Sequence, residues 1–134
     1  MRKPEHSTFF TKGPDVVIGP YDEIAYDQTM PLGPWIVTAD ELGDPQDVRL
    51  QCLLNGEVMQ DASTKQMAYD VATLISELSF GMTLRPGDLL LTGTPAGIGN
   101  ARQPQVFLRE GDEVVTRSDK LGELRNVLVR KDLA

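Results

Sequence analysis

An α+β domain, mostly β, is what this sequence predicts, and three observations carry the prediction. Short apolar runs recur between clusters of Gly, Pro, Asn and Asp along the 134 residues. One Asn-Gly pair, Asn55-Gly56, sits between two such runs and is the strongest short signal for a two-residue hairpin. A single stretch, starting near Ser63, keeps its apolar residues at helical spacing. Six or more short strands and one main helix follow from these signs. The length suits one domain with a modest core.

Taken in order, the first thirty residues are rich in turn formers and hold two apolar patches, Phe9-Phe10 and Val16-Val17-Ile18. Gly19-Pro20 ends the second patch, and Ile24 starts a third that goes no further. This part reads as an extended arm with one or two strands and little to bury. Pro31-Leu32-Gly33-Pro34 is a stiff, punctuated segment that delivers Trp35-Ile36-Val37-Thr38 as a strand. Residues 40–47 are a polar loop. Val48, Leu50, Cys52 and Leu54 then alternate on one face of a strand, and Glu57–Gln60 returns beyond Asn55-Gly56 as its partner.

The period changes after that hairpin. Ser63 and Gln66 form a capping-box pair. Met67, Val71, Leu74, Ile75 and Leu78 follow as one apolar stripe, and Gly81 stands where a helix-ending glycine belongs. The spacing predicts a helix over 64–80 with this stripe in the core. Asp88–Leu91 reads as a strand, leading into the loop Thr92-Gly93-Thr94-Pro95-Ala96-Gly97-Ile98-Gly99. A turn and strand over Leu108–Val115, a hairpin turn around Asp119–Leu124 and a final strand over Arg125–Val129 complete the chain.

Composition removes several classes of function. Twenty acidic residues against 13 basic ones leave a net charge of −7, whereas nucleic acid and anionic membranes select a basic face. The acidic residues are scattered and read as a solvated surface. The single cysteine, Cys52, forbids a disulfide within the chain, and its apolar run marks it as a strand thiol rather than a nucleophile. No apolar signal core follows Met1, and no run is long enough to span a bilayer. A cytoplasmic address and no membrane partner are the expectation.

The Gly/Thr loop is where chemistry is to be sought. Glycines let backbone approach a ligand closely, and the threonines offer hydroxyls. A ligand cradle and a tight structural turn both fit these residues. Nucleotide binding does not, because Gly93, Gly97 and Gly99 do not space as G-x-G-x-x-G and no Gly-Lys-Ser/Thr follows. The single histidine, His6, lies in a polar terminal segment, and no Gly-x-Ser-x-Gly elbow exists. One Cys and one His cannot assemble a zinc site. Magnesium or calcium needs converging carboxylates, and Asp22-Glu23, Asp40-Glu41 and Glu110-Gly111-Asp112 all read as charged surface turns.

Several segments occur together in one order: Pro31-Leu32-Gly33-Pro34-Trp35, Asn55-Gly56-Glu57-Val58-Met59-Gln60-Asp61 with Thr64 and Met67, Met82-Thr83-Leu84-Arg85-Pro86-Gly87-Asp88, and Thr92–Gly99. Together they closely resemble the fumarylacetoacetate hydrolase family. Leu108–Val114 and Gly122–Asn126 are similar to that family's last strands, and Phe9–Pro14 with Ile18-Gly19-Pro20 and Ile24 is similar to its opening segment. The resemblance implies a mixed β-sandwich roll, residues 1–25 being its N-terminal arm and 26–134 the remainder of one domain. It implies Mg2+- or Mn2+-dependent hydrolase, lyase or isomerase chemistry on small 2-oxo or 1,3-dioxo acids, in a homodimer. There the metal chelates the oxo-acid and stabilises an enolate.

The same resemblance implies a gap. Ile24 and Tyr26 are separated by a single residue here, whereas the matching landmarks of the family stand far apart. Between them the family carries a Glu-x-Glu metal pair and a further ligand Asp. A lysine expected before Thr29 is also missing, and His6 does not fit the family's histidine motif. The sheet is therefore expected to lack central strands, and the site residues carried over are Thr94 and Gly93 toward substrate, with Thr29 near the metal. No catalytic residue and no metal ligand is carried over, since two threonine hydroxyls do not hold a hard dication. Three readings follow: a family enzyme chain inactive alone, a non-catalytic partner dimerising with an intact paralogue, or a truncated gene product with no selected function.

Overall fold

The computed structural model describes residues 17–25 and 30–130. Strands β1 (Val17–Ile18), β2 (Ile24–Ala25) and β3 (Met30–Pro31) come first, then helix α1 (Ala39–Leu42), β4 (Arg49–Leu54) and β5 (Glu57–Ser63). Helix α2 (Val71–Ser79), β6 (Glu113–Ser118) and β7 (Gly122–Val129) complete the order. Five strands form one sheet in the order β2-β7-β6-β4-β5, antiparallel except for the parallel β2–β7 edge. β1 and β3 pair in parallel as a separate two-stranded piece. The mostly β, α+β expectation holds, with an open sheet.

The hairpin that Asn55-Gly56 predicts is β4–β5. Both turn residues take positive φ, 50° and 84°, which Asn tolerates and Gly adopts without strain. Leu54 pairs with Glu57 and Arg49 with Ser63, with a one-residue slip between Cys52 and Leu53. That slip breaks the expected alternation: Val48 and Leu53 are the buried residues, while Leu50, Cys52 and Leu54 are half-buried.

The helix expected over 64–80 is two pieces. The Ser63–Gln66 capping box is present, but it caps a single 3-10 turn, Thr64–Gln66. The Asp70 carboxylate then accepts from the Thr73 amide at 2.6 Å and starts α2 at Val71. Gln46 ties the two pieces together, its Oε1 accepting from the Val71 amide and its Nε2 donating to the Thr64 carbonyl. Two caps within eight residues divide what periodicity alone joins. Leu74 is buried, Val71, Leu78 and Met67 are half-buried, and Ile75 is exposed. The helix ends through Phe80 in ordinary right-handed geometry, without a left-handed turn at Gly81.

Two expected strands do not form. Trp35–Thr38 joins no ladder; the Trp35 ring lies over Gly122, where a Cβ would crowd it, and Ile36 is 93% exposed. Asp88–Leu91 also joins no ladder among the described residues. A strand exists only beside a partner, and no described strand pairs with either segment. Residues 40–42 of the expected polar loop 40–47 instead belong to α1 (Ala39–Leu42).

The core is small: Met30, Val48, Leu53, Leu74, Val115 and Leu128 are the buried apolar residues described. Asn126 is the buried polar one, and its Nδ2 donates to the Asp22 carbonyl at 2.7 Å. With the Arg125 amide donating to Pro20, this fixes residues 19–22 against β7. Phe9-Phe10 and His6 lie outside the described residues.

Candidate active-site loop

The loop 92–99 is held by the strand before it in space, β5, rather than by its neighbours in sequence. The Asn55-Gly56 turn sends β5 back along β4, and Gln60 leaves β5 on the side of the loop. Its Nε2 donates to the Thr94 hydroxyl oxygen at 3.0 Å, to the Pro95 carbonyl at 2.9 Å and to the Ala96 carbonyl at 3.4 Å. An amide nitrogen carries two hydrogens, so three acceptors share them. Arg102 adds a second tie, donating to the carbonyls of Gly97 and Met59. The loop is thus tied to β5 twice, by the Gln60 side chain and, through Arg102, by the Met59 carbonyl.

The glycines of the loop do different things. At Gly97, with φ of 106°, a Cβ would collide with the Met59 carbonyl oxygen. At Gly99 a Cβ would collide with the Val106 carbonyl, whose amide donates back to Gly99 at 3.0 Å. These two permit close packing, which is the structural-turn reading of the loop. Gly93 has a φ of 99°, and a Cβ there would meet nothing within 4 Å. Its bare face and the neighbouring Thr94 hydroxyl lie open to solvent. The hydroxyl accepts from Gln60, which leaves its own hydrogen free to donate to an acceptor outside. The turn reading therefore holds for 97–99, and 93–94 form an open edge.

No carboxylate makes a described contact with that edge. Asp61 follows Gln60, but strand alternation sends it to the other face. There Arg49 and Gln51 donate to it and hold its carboxyl down at about 2. One aspartate of each acidic cluster weighed in the sequence accepts a hydrogen bond from a neighbouring group. Asp22 accepts from Gly19, and Asp112 from Asn55 and Arg109; the Asn55 bond chiefly lowers the Asp112 pKa. Asp40 likewise sits below its ordinary value, first because Thr38 donates to it. Burial pushes the Cys52 thiol up, the opposite of what a nucleophile needs.

A hard dication takes several charged oxygens, whereas the polar groups at Thr94 are one neutral amide and carbonyls already engaged by it. Among the described residues no three His, Cys, Asp or Glu side chains converge. The donor set in view does not fit a magnesium or manganese ion. Thr29, placed near the metal by the family resemblance, lies outside the described residues. Gln60 was not foreseen as a partner of the loop. It lies 34 residues from Thr94, and its sole local sign is its place at the returning end of the hairpin.

Comparison with known proteins places these features. The family described as fumarylacetoacetate (FAA) hydrolase C-terminal matches residues 23–129. Oxaloacetate tautomerase Fahd2a, a mitochondrial protein of Rattus norvegicus, is 45% identical over 104 residues, 78% of this chain and 33% of its own length. The chain thus spans about a third of such curated relatives. The fumarylacetoacetate hydrolase structure of Exiguobacterium antarcticum superimposes with a TM-score of 0.85 at 28% identity, covering 91% of this chain and 66% of that one. A maleylpyruvate hydrolase of Sphingobium, solved with manganese(II) and pyruvate, gives 0.71 at 34% identity, over 80% of this chain and 38% of its own.

Proposed function

The chain belongs to the fumarylacetoacetate hydrolase family, and on that premise we propose that it keeps the substrate-facing loop of a metal-dependent enzyme while lacking the metal-bearing side. In this reading Thr94, Gly93 and Thr29 are the residues that face a small 2-oxo or 1,3-dioxo acid. The Thr94 hydroxyl donates to an oxygen of the acid, and the bare face of Gly93 lets that oxygen approach the backbone. The relatives span hydrolases and a tautomerase, so the substrate class rather than one reaction is carried over.

One observation supports the reading above the rest: Gln60 fixes Thr94 as an outward donor, and no described carboxylate accompanies it. The chain alone is then inactive. Purified chain with Mg2+ or Mn2+ and an acylpyruvate is expected to show no turnover above the uncatalysed rate. Metal-dependent turnover that Thr94→Val abolishes would overturn that expectation.

The second reading makes the chain a non-catalytic subunit of the family, paired with an intact paralogue in the cytoplasm. The exposed apolar residues before the loop favour it. No helix in the described residues is long and apolar enough to cross a membrane.

A further inference from the structure

We propose that Phe80–Leu91 is a docking surface for the portion of this fold that the chain lacks, supplied by a separate polypeptide as an added β-segment. The inference rests on the second reading above and names its surface. Phe80 is 96% exposed, Met82 50%, Leu89 55% and Leu91 60%, within twelve consecutive residues. Leu89-Leu90-Leu91 is the strand that the sequence predicts, yet none of its amides or carbonyls has a hydrogen-bond partner among the described residues. An apolar segment with both backbone edges open is a template for strand addition.

The segment has little freedom to bury itself. Upstream, α2 is anchored by the buried Leu74 and the Gln46 tie. Downstream, Gln60 and Arg102 pin the loop.

Two facts select the occupant. The Exiguobacterium antarcticum structure superimposes on 91% of this chain but has 34% of its own chain left without a counterpart. A second copy of this chain would lack the same portion and would bring the same net charge of −7. A segment of the same fold offers both the strand edge and the apolar face that the ridge wants.

The test uses the full chain and a recombinant fragment made of those unmatched Exiguobacterium antarcticum residues. Calorimetry is expected to give a one-to-one complex with Kd of about 10 μM or tighter. Amide exchange at Leu89–Leu91 should slow on binding. The double variant Phe80→Ser/Leu91→Lys should weaken the complex about tenfold or more, and Val127→Ser, on β7, should leave it unchanged. Circular dichroism checks that each variant folds. No complex, or a complex indifferent to the ridge variants, would overturn the proposal. So would self-association of the chain that the double variant abolishes, since the occupant would then be a second copy. Turnover is not read here, so the substrate reading and the docking surface can fail separately.

Discussion

The two halves of the long connection between α2 and β6 contrast in how they meet the rest of the molecule. From Thr94 to Val106 the chain is tied to β5 by Gln60 and Arg102, and Gly97 packs on Met59 and Gly99 on Val106 so closely that neither admits a Cβ. From Phe80 to Leu91 it carries more large apolar side chains, and every residue except Leu90 is exposed. Polarity would predict the reverse. The difference teaches that apolar composition alone does not bury a segment: the apolar half has no described backbone partner at Leu89–Leu91, while the polar half is tied down by Gln60 and Arg102.

Substitutions sharpen that contrast, and the packed half should give the largest effects. Gly99→Ala sets a Cβ against the Val106 carbonyl and should lower unfolding stability by about 2 kcal/mol, read by urea denaturation. Little change would mean that the loop does not lie on its neighbour. Gln60→Ala removes three shared hydrogen bonds and should cost about 1 kcal/mol. It should also raise the backbone mobility of residues 94–97 in NMR relaxation. Gln60→Glu should do so at neutral pH as well, because a carboxylate cannot donate to Thr94, Pro95 and Ala96.

The exposed half should respond weakly. Phe80→Ser and Leu91→Ser should each move stability by no more than about 0.5 kcal/mol while raising solubility. A loss as large as that of Gly99→Ala would show the ridge to be buried after all. The smallest effect expected lies on the far face of β5. The Asp61 pKa is depressed to about 2 by Arg49 and Gln51, so its contribution is complete above the ordinary value of 3.8. It is lost only as pH falls from there through about 2. An NMR titration of the Asp61 carboxyl should therefore show little protonation near 3.8, and Asp61→Asn should reduce the pH dependence of stability in that interval.

Local chemistry made much of this legible in the sequence. Asn55-Gly56 fixes the hairpin because its two positive φ angles suit few other residue pairs. Ser63–Gln66 marks a true cap, but a capping box says where a helical turn starts and not how far it runs. Asp70, a second cap, ends the ambiguity only once its bond to Thr73 is seen. Trp35–Thr38 and Asp88–Leu91 have strand composition and no strand, because ladders depend on neighbours that local sequence does not describe. At the loop, Gly93 and Thr94 could be singled out from residue type. Gln60 could not, because its role arises only when β5 comes to lie beside a segment 34 residues away.

Site-resolved amide exchange across residues 80–106 of the free chain tests the contrast most directly. The Arg102 and Val106 amides both donate to the Gly99 carbonyl, at 3.2 and 3.0 Å, whereas Leu89–Leu91 have no described partner. Exchange at Leu89–Leu91 should approach the rate of an unstructured peptide, and exchange at Arg102 and Val106 should be slower by about tenfold or more. Equal protection in the two halves would contradict the account.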